Sequence, residues 1–238
     1  MLFRLRGFDQ RQISVFLDGV PISLPFDGSV DISQLVGDNL ESIRIAKGAS
    51  PAAYGANTLG GSINIVSANP VKKILNFRVE TSSFGGFFCN FAYSNSVKKL
   101  FWGMGLSYQD APDWNLSSEF QQNKNENGGR RANSEHNRKS GFFKVIYPIN
   151  PSHYVGLNVN LIDNRFNVPV NTETERPRYW QFPKWKKQVT SLNSSHQFNQ
   201  LFSLRTVFYL DKYFNVLKSY DDDRYTSQTF RYAFDSVY

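Results

Sequence analysis

Beyond Pro70 the chain settles into a period of two. Leu75, Phe77 and Val79 are interleaved with Asn76, Arg78 and Glu80, and Leu100, Trp102, Met104, Leu106 and Tyr108 with Gly103, Gly105, Ser107 and Gln109. Val155, Leu157, Val159 and Leu161 alternate with Asn158 and Asn160, and Phe202, Leu204, Thr206, Phe208 and Leu210 with Ser203 and Arg205. Successive side chains of a strand point to opposite faces, so this pattern predicts strands with one apolar face and one small or polar face. Weaker alternation over 143–147 and 189–198 brings the expectation to about eight strands. A strand between lipid and a wet lumen needs these two faces.

Connection lengths separate the two ends of these strands. Short links are predicted near 95–98, 149–153 and 199–201, and long polar links over 110–138, 163–186 and 212–225. Outer-membrane barrels pair short periplasmic turns with long external loops, and the tight turn over 83–86 is then expected at the long-loop end. Trp180, Phe182, Trp185, Tyr147 and Tyr154 sit near strand ends, where an aromatic girdle belongs. A soluble β-sandwich, which also alternates, is the structural rival.

The first seventy residues read differently. Residues 14–17 form a short apolar strand, Asp18-Gly19 supplies the dipeptide of a type I′ turn, and 20–22 is the returning strand. Leu24, Pro25, Phe26, Asp27 and Gly28 describe an exposed loop with apolar tips. Asp31, with Gln34 three residues on, predicts a capped single helical turn ended by Gly37. Alternation resumes over 42–46. Ser50 and Pro51 then stand where an N-cap and first helical residue belong, with Gly55 placed to stop the turn. Gly60 and Gly61 break the chain before a strand over 62–66 that Pro70 closes. These glycines lack the Gly-Lys-Ser/Thr ending of a phosphate loop, and no GxGxxG opens a long helix.

Composition narrows the class. Aromatic residues make up 16% of the 238 residues, yet mean hydropathy is −0.44. The longest charge-free run, between Lys47 and Lys72, is studded with Ser, Asn and Gly, so it fails the demand of a membrane helix for about 20 apolar residues. The net charge is +7, but the basic residues are scattered without a basic helical face, which argues against nucleic acid as a partner. Anionic lipopolysaccharide or an acidic ligand suits a basic barrel. Cys89, the one cysteine, alternates with Phe87 and Phe91 as a small apolar strand position. His136, His153 and His196 lie far apart with no ligand-like spacing, so no metal or cofactor is expected. The opening MLFRLRGFDQ has no apolar core or cleavage site of a secretory signal, so the reading expects either a missing N-terminus or a piece of a longer chain.

The front segment resembles the plug of TonB-dependent outer-membrane receptors. The matching pieces are Arg6-Gly7-Phe8, then 15–22 with Asp18-Gly19, then the turn at 31–35, then 40–66. Within that last run Glu41, Lys47-Gly48, Tyr54-Gly55, Gly60-Gly61 and Asn64-Ile65-Val66 are the specific elements. Ala49 stands where the family often has proline, and Ser67-Ala68-Asn69-Pro70 replaces a more usual threonine-lysine approach. The family's segment gripped by TonB lies ahead of the Arg-Gly-Phe element and has no counterpart after Met1.

The resemblance implies an α+β plug over 1–70, N-terminally incomplete, followed by antiparallel transmembrane β-barrel strands over 71–238, C-terminally incomplete. Family barrels close with about 22 strands, so an incomplete barrel of about eight leaves two open edges and cannot enclose a plug. It further implies an outer-membrane receptor for TonB-dependent uptake of a scarce nutrient such as an iron-siderophore, cobalamin or an oligosaccharide. No enzyme activity is expected. The implied partners are the TonB-ExbB-ExbD complex, the outer membrane with its lipopolysaccharide, and a small nutrient ligand. Similarity to the family's cobalamin receptors marks Leu24 to Gly28 and Ala56, Asn57 and Thr58 as ligand-facing, and the loop around Trp114 is a further candidate. Arg6, Glu41 and Lys47 are expected to pair with the wall and hold the plug. Asp221-Asp222-Asp223 reads as a solvated turn. Two other classes stay open: a truncated non-functional product, and a soluble β-rich glycan-binding module.

Overall fold

The computed structural model describes residues 4–22, 28, 31–35, 40–48 and 58–237. Its short strands β1 (Arg4–Leu5) and β2 (Phe8–Asp9) form a ribbon, and a 3-10 turn at Gln10–Gln12 leads into a four-stranded sheet. That sheet contains β3 (Ile13–Leu17), β4 (Val20–Pro21), β5 (Leu40–Lys47) and β6 (Gly61–Ser67) in the order β4-β3-β6-β5. β3 runs parallel to β6, and the other pairs are antiparallel.

The local signals that predict this sheet hold. Asp18 (φ +50°) and Gly19 (φ +82°) both take the left-handed values of a type I′ turn. The Asp31 carboxylate accepts from the Ser33 amide at 3.1 Å and caps a single 3-10 turn at Ile32–Gln34, which Leu35 ends. The expected stop at Gly37 and the second helical turn at 50–55 lie outside the described residues.

Ile13, Val15, Leu17, Val20, Ile22, Ile63 and Ile65 make the core of this unit, together with Val189 from the larger sheet. β5, at the edge of the sheet, is largely exposed, with Ile43 and Ile45 open to more than half. Gly61 is fixed by geometry, since its φ is +128° and a Cβ there runs into the Ala46 carbonyl across β5 and β6. Gly61→Ala is therefore expected to destabilise the unit by about 2 kcal/mol or more, read as a lowered unfolding midpoint.

The second sheet is an eight-stranded antiparallel meander in sequence order. Its strands are β7 (Ile74–Thr81), β8 (Phe87–Val97), β9 (Leu100–Ala111), β10 (His136–Asn150), β11 (His153–Val168), β12 (Tyr179–Gln197), β13 (Ser203–Tyr220) and β14 (Gln228–Val237). The number agrees with the expected count. The wall stays open, with β7 and β14 as its edges. One face turns to the plug sheet and carries Asn90, Ser94, Ser107, Lys144, Asn158, Asn164, Lys187, Ser191 and Asp211, all buried. The other is apolar and exposed: Leu75 is 73% open, Phe77 67%, Leu106 60% and Phe208 71%. So large an apolar surface is untenable in water, which removes the sandwich reading.

Three expectations need correction. The links over 163–186 and 212–225 shrink to 169–178 and 221–227, because β11, β12 and β13 run on past the apolar band with charges paired across strands. Lys186 Nζ stands 3.2 Å from Asp163 Oδ2, for example. Secondly, Trp185, Phe182 and Trp180 form no girdle. A bulge between Gln181 and Lys184 resets the alternation, so Phe182 opposite Phe166 and Trp185 opposite Asn164 both turn toward the plug side. There Trp185 clusters with Ile162, Phe166 and Tyr213 against Leu35 of the plug, and the Phe166 and Phe182 rings stack at 4.7 Å. Thirdly, the widely spaced His153 and His196 are direct cross-strand partners with Nδ1 atoms 3.1 Å apart, beside Phe198. No cluster of three metal-ligating side chains occurs among the described residues.

At the 221–227 turn the aspartates serve the backbone. Asp222 accepts from the Thr226 hydroxyl at 2.8 Å and its amide at 3.1 Å, bonds that hold its carboxyl below the usual range, and Asp221 accepts from the Thr229 hydroxyl at 2.6 Å.

Candidate functional site

Two places on the plug side of the wall combine polar chemistry with built geometry. The first is a latch between plug and wall. The I′ turn carries Asp18 to the surface of the plug sheet, where its carboxylate accepts from the Ser67 amide (2.9 Å) and hydroxyl (2.7 Å). It also meets Lys144 Nζ at 3.2 Å and Asn160 Nδ2 at 3.3 Å from the wall. Lys144 donates as well to the Ser67 carbonyl at 3.0 Å. The Asp18 and Lys144 side chains are 5% and 8% exposed, so this ion pair is buried and fully ligated. That is the condition under which burial of charge is tolerated. A second contact joins Asn164 Nδ2 to the Gln34 carbonyl at 2.9 Å.

None of the three expected plug anchors does this work. Glu41 and Lys47 lie on the exposed β5, Arg6 sits at φ +52° in the turn between β1 and β2, and none pairs with a described wall residue. β5 occupies the sheet edge away from β3, whereas the I′ turn at Asp18 faces the wall. Lys144 carried a sequence signal, a cation on the strand face opposite Phe143, Val145 and Tyr147. Its partner could not be read without the register.

The second place is an outer vestibule at the long-loop end. The loop 112–135 is tied down by buried polar groups. Arg131 Nη1 meets Glu126 Oε2 at 2.6 Å, and the Asn125 amide donates to the Asn171 and Thr174 carbonyls of the next loop at 3.1 and 2.8 Å. Asn133 donates to the Val168 and Trp180 carbonyls at 2.8 and 3.0 Å. The Asp113 carboxylate accepts from the Ser134 and Glu135 amides at 2.7 and 2.8 Å, and Trp114 is held through its own amide to Ser134 Oγ and its carbonyl to the Arg131 amide.

Trp114 as a whole stays 41% exposed and lines a cavity of about 280 Å³ with Phe84, Phe88, Glu80 and His136. The turn containing Phe84 is thereby at the same end as the long loop, as expected. An aromatic ring on a pinned backbone above carboxylate and imidazole groups can stack on a flat ligand and orient its polar edge.

The other ligand candidates are only partly placed. Leu24, Pro25, Phe26, Asp27, Ala56 and Asn57 lie outside the described residues, as do Tyr54 and Gly55. Gly28 (φ +67°) and Thr58, whose carbonyl accepts from Gly61, are half-buried and do not line the Trp114 cavity. Gly48 (φ +95°) and Gly60 meet through their backbones at 3.4 Å.

A small β unit latched to the polar face of a wall whose opposite face is apolar defines a plugged membrane barrel. Comparison with known proteins makes this particular. The TonB-dependent Receptor Plug Domain model matches residues 1–62. Over 64 residues the chain is 36% identical to the Vitamin B12 transporter BtuB of Photobacterium profundum, covering 27% of this chain and 11% of that protein. The corresponding protein of Vibrio cholerae is 32% identical over 63 residues. Among solved structures, the copper transporter OprC superposes with a TM-score of 0.72 at 12% identity, covering 90% of this chain and 32% of that one. The FrpB iron transporter from Neisseria meningitidis gives 0.68 at 16%, covering 93% and 34%. The matched stretch thus spans about a tenth of the curated relatives and about a third of the solved chains. Residues 1–62 thus match the plug domain of TonB-dependent receptors, and the chain shares the fold of the plugged transporter barrels.

Proposed function

We propose that this chain serves active uptake of a scarce nutrient, with residues 1–70 acting as the plug and 71–238 supplying wall strands. The observation that carries the reading is the division of labour on the plug side. A buried Asp18–Lys144 latch seats the plug, and a preorganised aromatic vestibule with Trp114 stands at the external end. Uptake by the full-length receptor then consists of capture by the vestibule and by the plug tips at Leu24 to Gly28 and Ala56 to Thr58, followed by release of the latch when TonB, driven by ExbB-ExbD, pulls on the segment ahead of the plug. Binding and gating suffice for this, and no covalent step is involved. The relatives' names give the candidate cargo classes: cobalamin and iron chelates, with oligosaccharides as a third from the family resemblance.

The test is a ligand panel of cobalamin, ferric siderophores and oligosaccharides, with affinity read by calorimetry on the chain in detergent micelles. One class is expected to bind, and Trp114→Ala to weaken it about tenfold, the scale of a lost aromatic anchor. Binding of none, or unchanged affinity in the variant, contradicts the vestibule assignment.

A further inference from the structure

The short-turn end of the outward face holds a feature that uptake does not use. His153 opens β11 directly after the 151–152 turn, and His196 stands one residue from the end of β12, before the 198–202 turn. Antiparallel pairing sets the two opposite each other. Both turns are pinned: the Ser152 amide donates to Asn150 Oδ1 and the Gln197 amide to the Ser152 carbonyl, each at 2.9 Å, while Asn199 Oδ1 accepts from the Leu201 and Phe202 amides at 2.9 and 2.8 Å. The imidazoles therefore rise from backbone that is already fixed.

Their geometry is that of a chelate. The Nδ1 atoms are 3.1 Å apart, with ring centroids at 5.2 Å and ring planes inclined by 39°. At a metal–nitrogen distance of about 2.0–2.1 Å, two ligands about 90–109° apart at the ion are themselves about 2.8–3.4 Å apart. The Phe198 ring flanks the pair, 5.5 Å from His153 and 6.1 Å from His196. No carboxylate occurs over 147–154 or 193–204, so imidazole nitrogen dominates the donor set. That chemistry suits Zn²⁺ or Cu²⁺ and not the oxygen-seeking Ca²⁺ or Mg²⁺.

Height in the membrane leaves the pair in reach of water. His153 and Asp163 mark the two ends of the outward apolar run Val155, Leu157, Val159 and Leu161 on β11. At ~3.3 Å per residue and a tilt near 40°, those ten steps rise ~25 Å, the height of a barrel's apolar band. The His153–His196 row, at the short-turn end, then lies at the periplasmic interface, with both side chains half-buried.

We propose that His153 and His196 bind a divalent transition ion, Zn²⁺ or Cu²⁺, through both Nδ1 atoms, with water in the remaining positions. Ligation takes both lone pairs, so the proton that one ring holds at Nδ1 moves to its Nε2 and the imidazoles stay neutral. The ion clamps the turn after β10 to the turn after β12 at the periplasmic rim. This inference rests on register and ring geometry, and neither uptake nor the vestibule enters it.

The untagged chain in detergent micelles is titrated with Cu²⁺, with the bound ion read by electron paramagnetic resonance and its affinity by competition with a chelator. One tightly held ion is expected, with hyperfine splitting from two imidazole nitrogens. His153→Ala and His196→Ala should each weaken binding at least about tenfold, the scale on which even a ligand's outer-shell partner acts, with heat-modifiable migration unchanged. Zn²⁺ should raise the unfolding midpoint of the wild type and of neither variant, because an ion held only by the folded chain stabilises it by mass action. A spectrum with one nitrogen or none overturns the proposal and leaves the pair as an N–H···N hydrogen bond between neutral rings. So does undiminished affinity in either variant, or a Zn²⁺-dependent rise that survives in them.

Discussion

Replacing Asp18 by alanine is expected to unseat the plug. Lys144 then keeps a buried ammonium with only the Ser67 carbonyl in reach, while the Ser67 amide and the Asn160 side chain lose their acceptor. Breaking one side of a buried ion pair costs about 3–5 kcal/mol, because the surviving charge is uncompensated. The loss should be seen as protease cleavage within 13–67. The double substitution Asp18→Asn with Lys144→Met removes both charges, so its cost should fall well below the sum of the two single changes. A sum that is simply additive means that the two residues do not act as a pair.

Phe208→Arg is expected to cost ~2–4 kcal/mol of folding free energy in phospholipid bilayers, the penalty for arginine near the midplane of a barrel's lipid face. Phe208 is aligned with Leu192 and Leu157, midway between the His153 and Asp163 rows. Val207, its neighbour, is aligned with Asn193 and Gly156 on the opposite face, where Val207→Arg should change stability little. Urea titration of the two variants in vesicles compares them directly. Equal costs at 207 and 208 are incompatible with one wet and one lipid face.

Much of the architecture was legible because the signals for it are local. Asp18-Gly19 specifies a type I′ turn by backbone sterics alone, Asp31 caps the turn that follows it, and the period of two assigned Leu75, Phe77, Leu106 and Phe208 to the lipid face. What escaped the sequence depends on register. Asp163 and Lys186 read as loop residues because charge marks a loop until it is known that the two strands set them side by side. The bulge at 181–184 turned Trp185 inward against a strict alternation. His153 and His196 are remote along the chain and adjacent in space for the same reason. At the site, Trp114 could be singled out as an aromatic in a polar loop. The choice of Asp18 over Glu41 or Lys47 as the latch follows from which edge of the plug sheet meets the wall.

The central claim is that the wall divides lipid from a polar, plug-filled side. Single cysteines placed in turn from 153 to 164, with Cys89 replaced by serine, carry nitroxide labels in bilayers. Collision with oxygen and with a water-soluble nickel chelate then reports the surroundings of each label. Positions 155, 157, 159 and 161 should be reached by oxygen and shielded from nickel, while 158, 160 and 164 are shielded from oxygen. Nickel reaching 155 through 161 freely, with no two-residue period, contradicts the account.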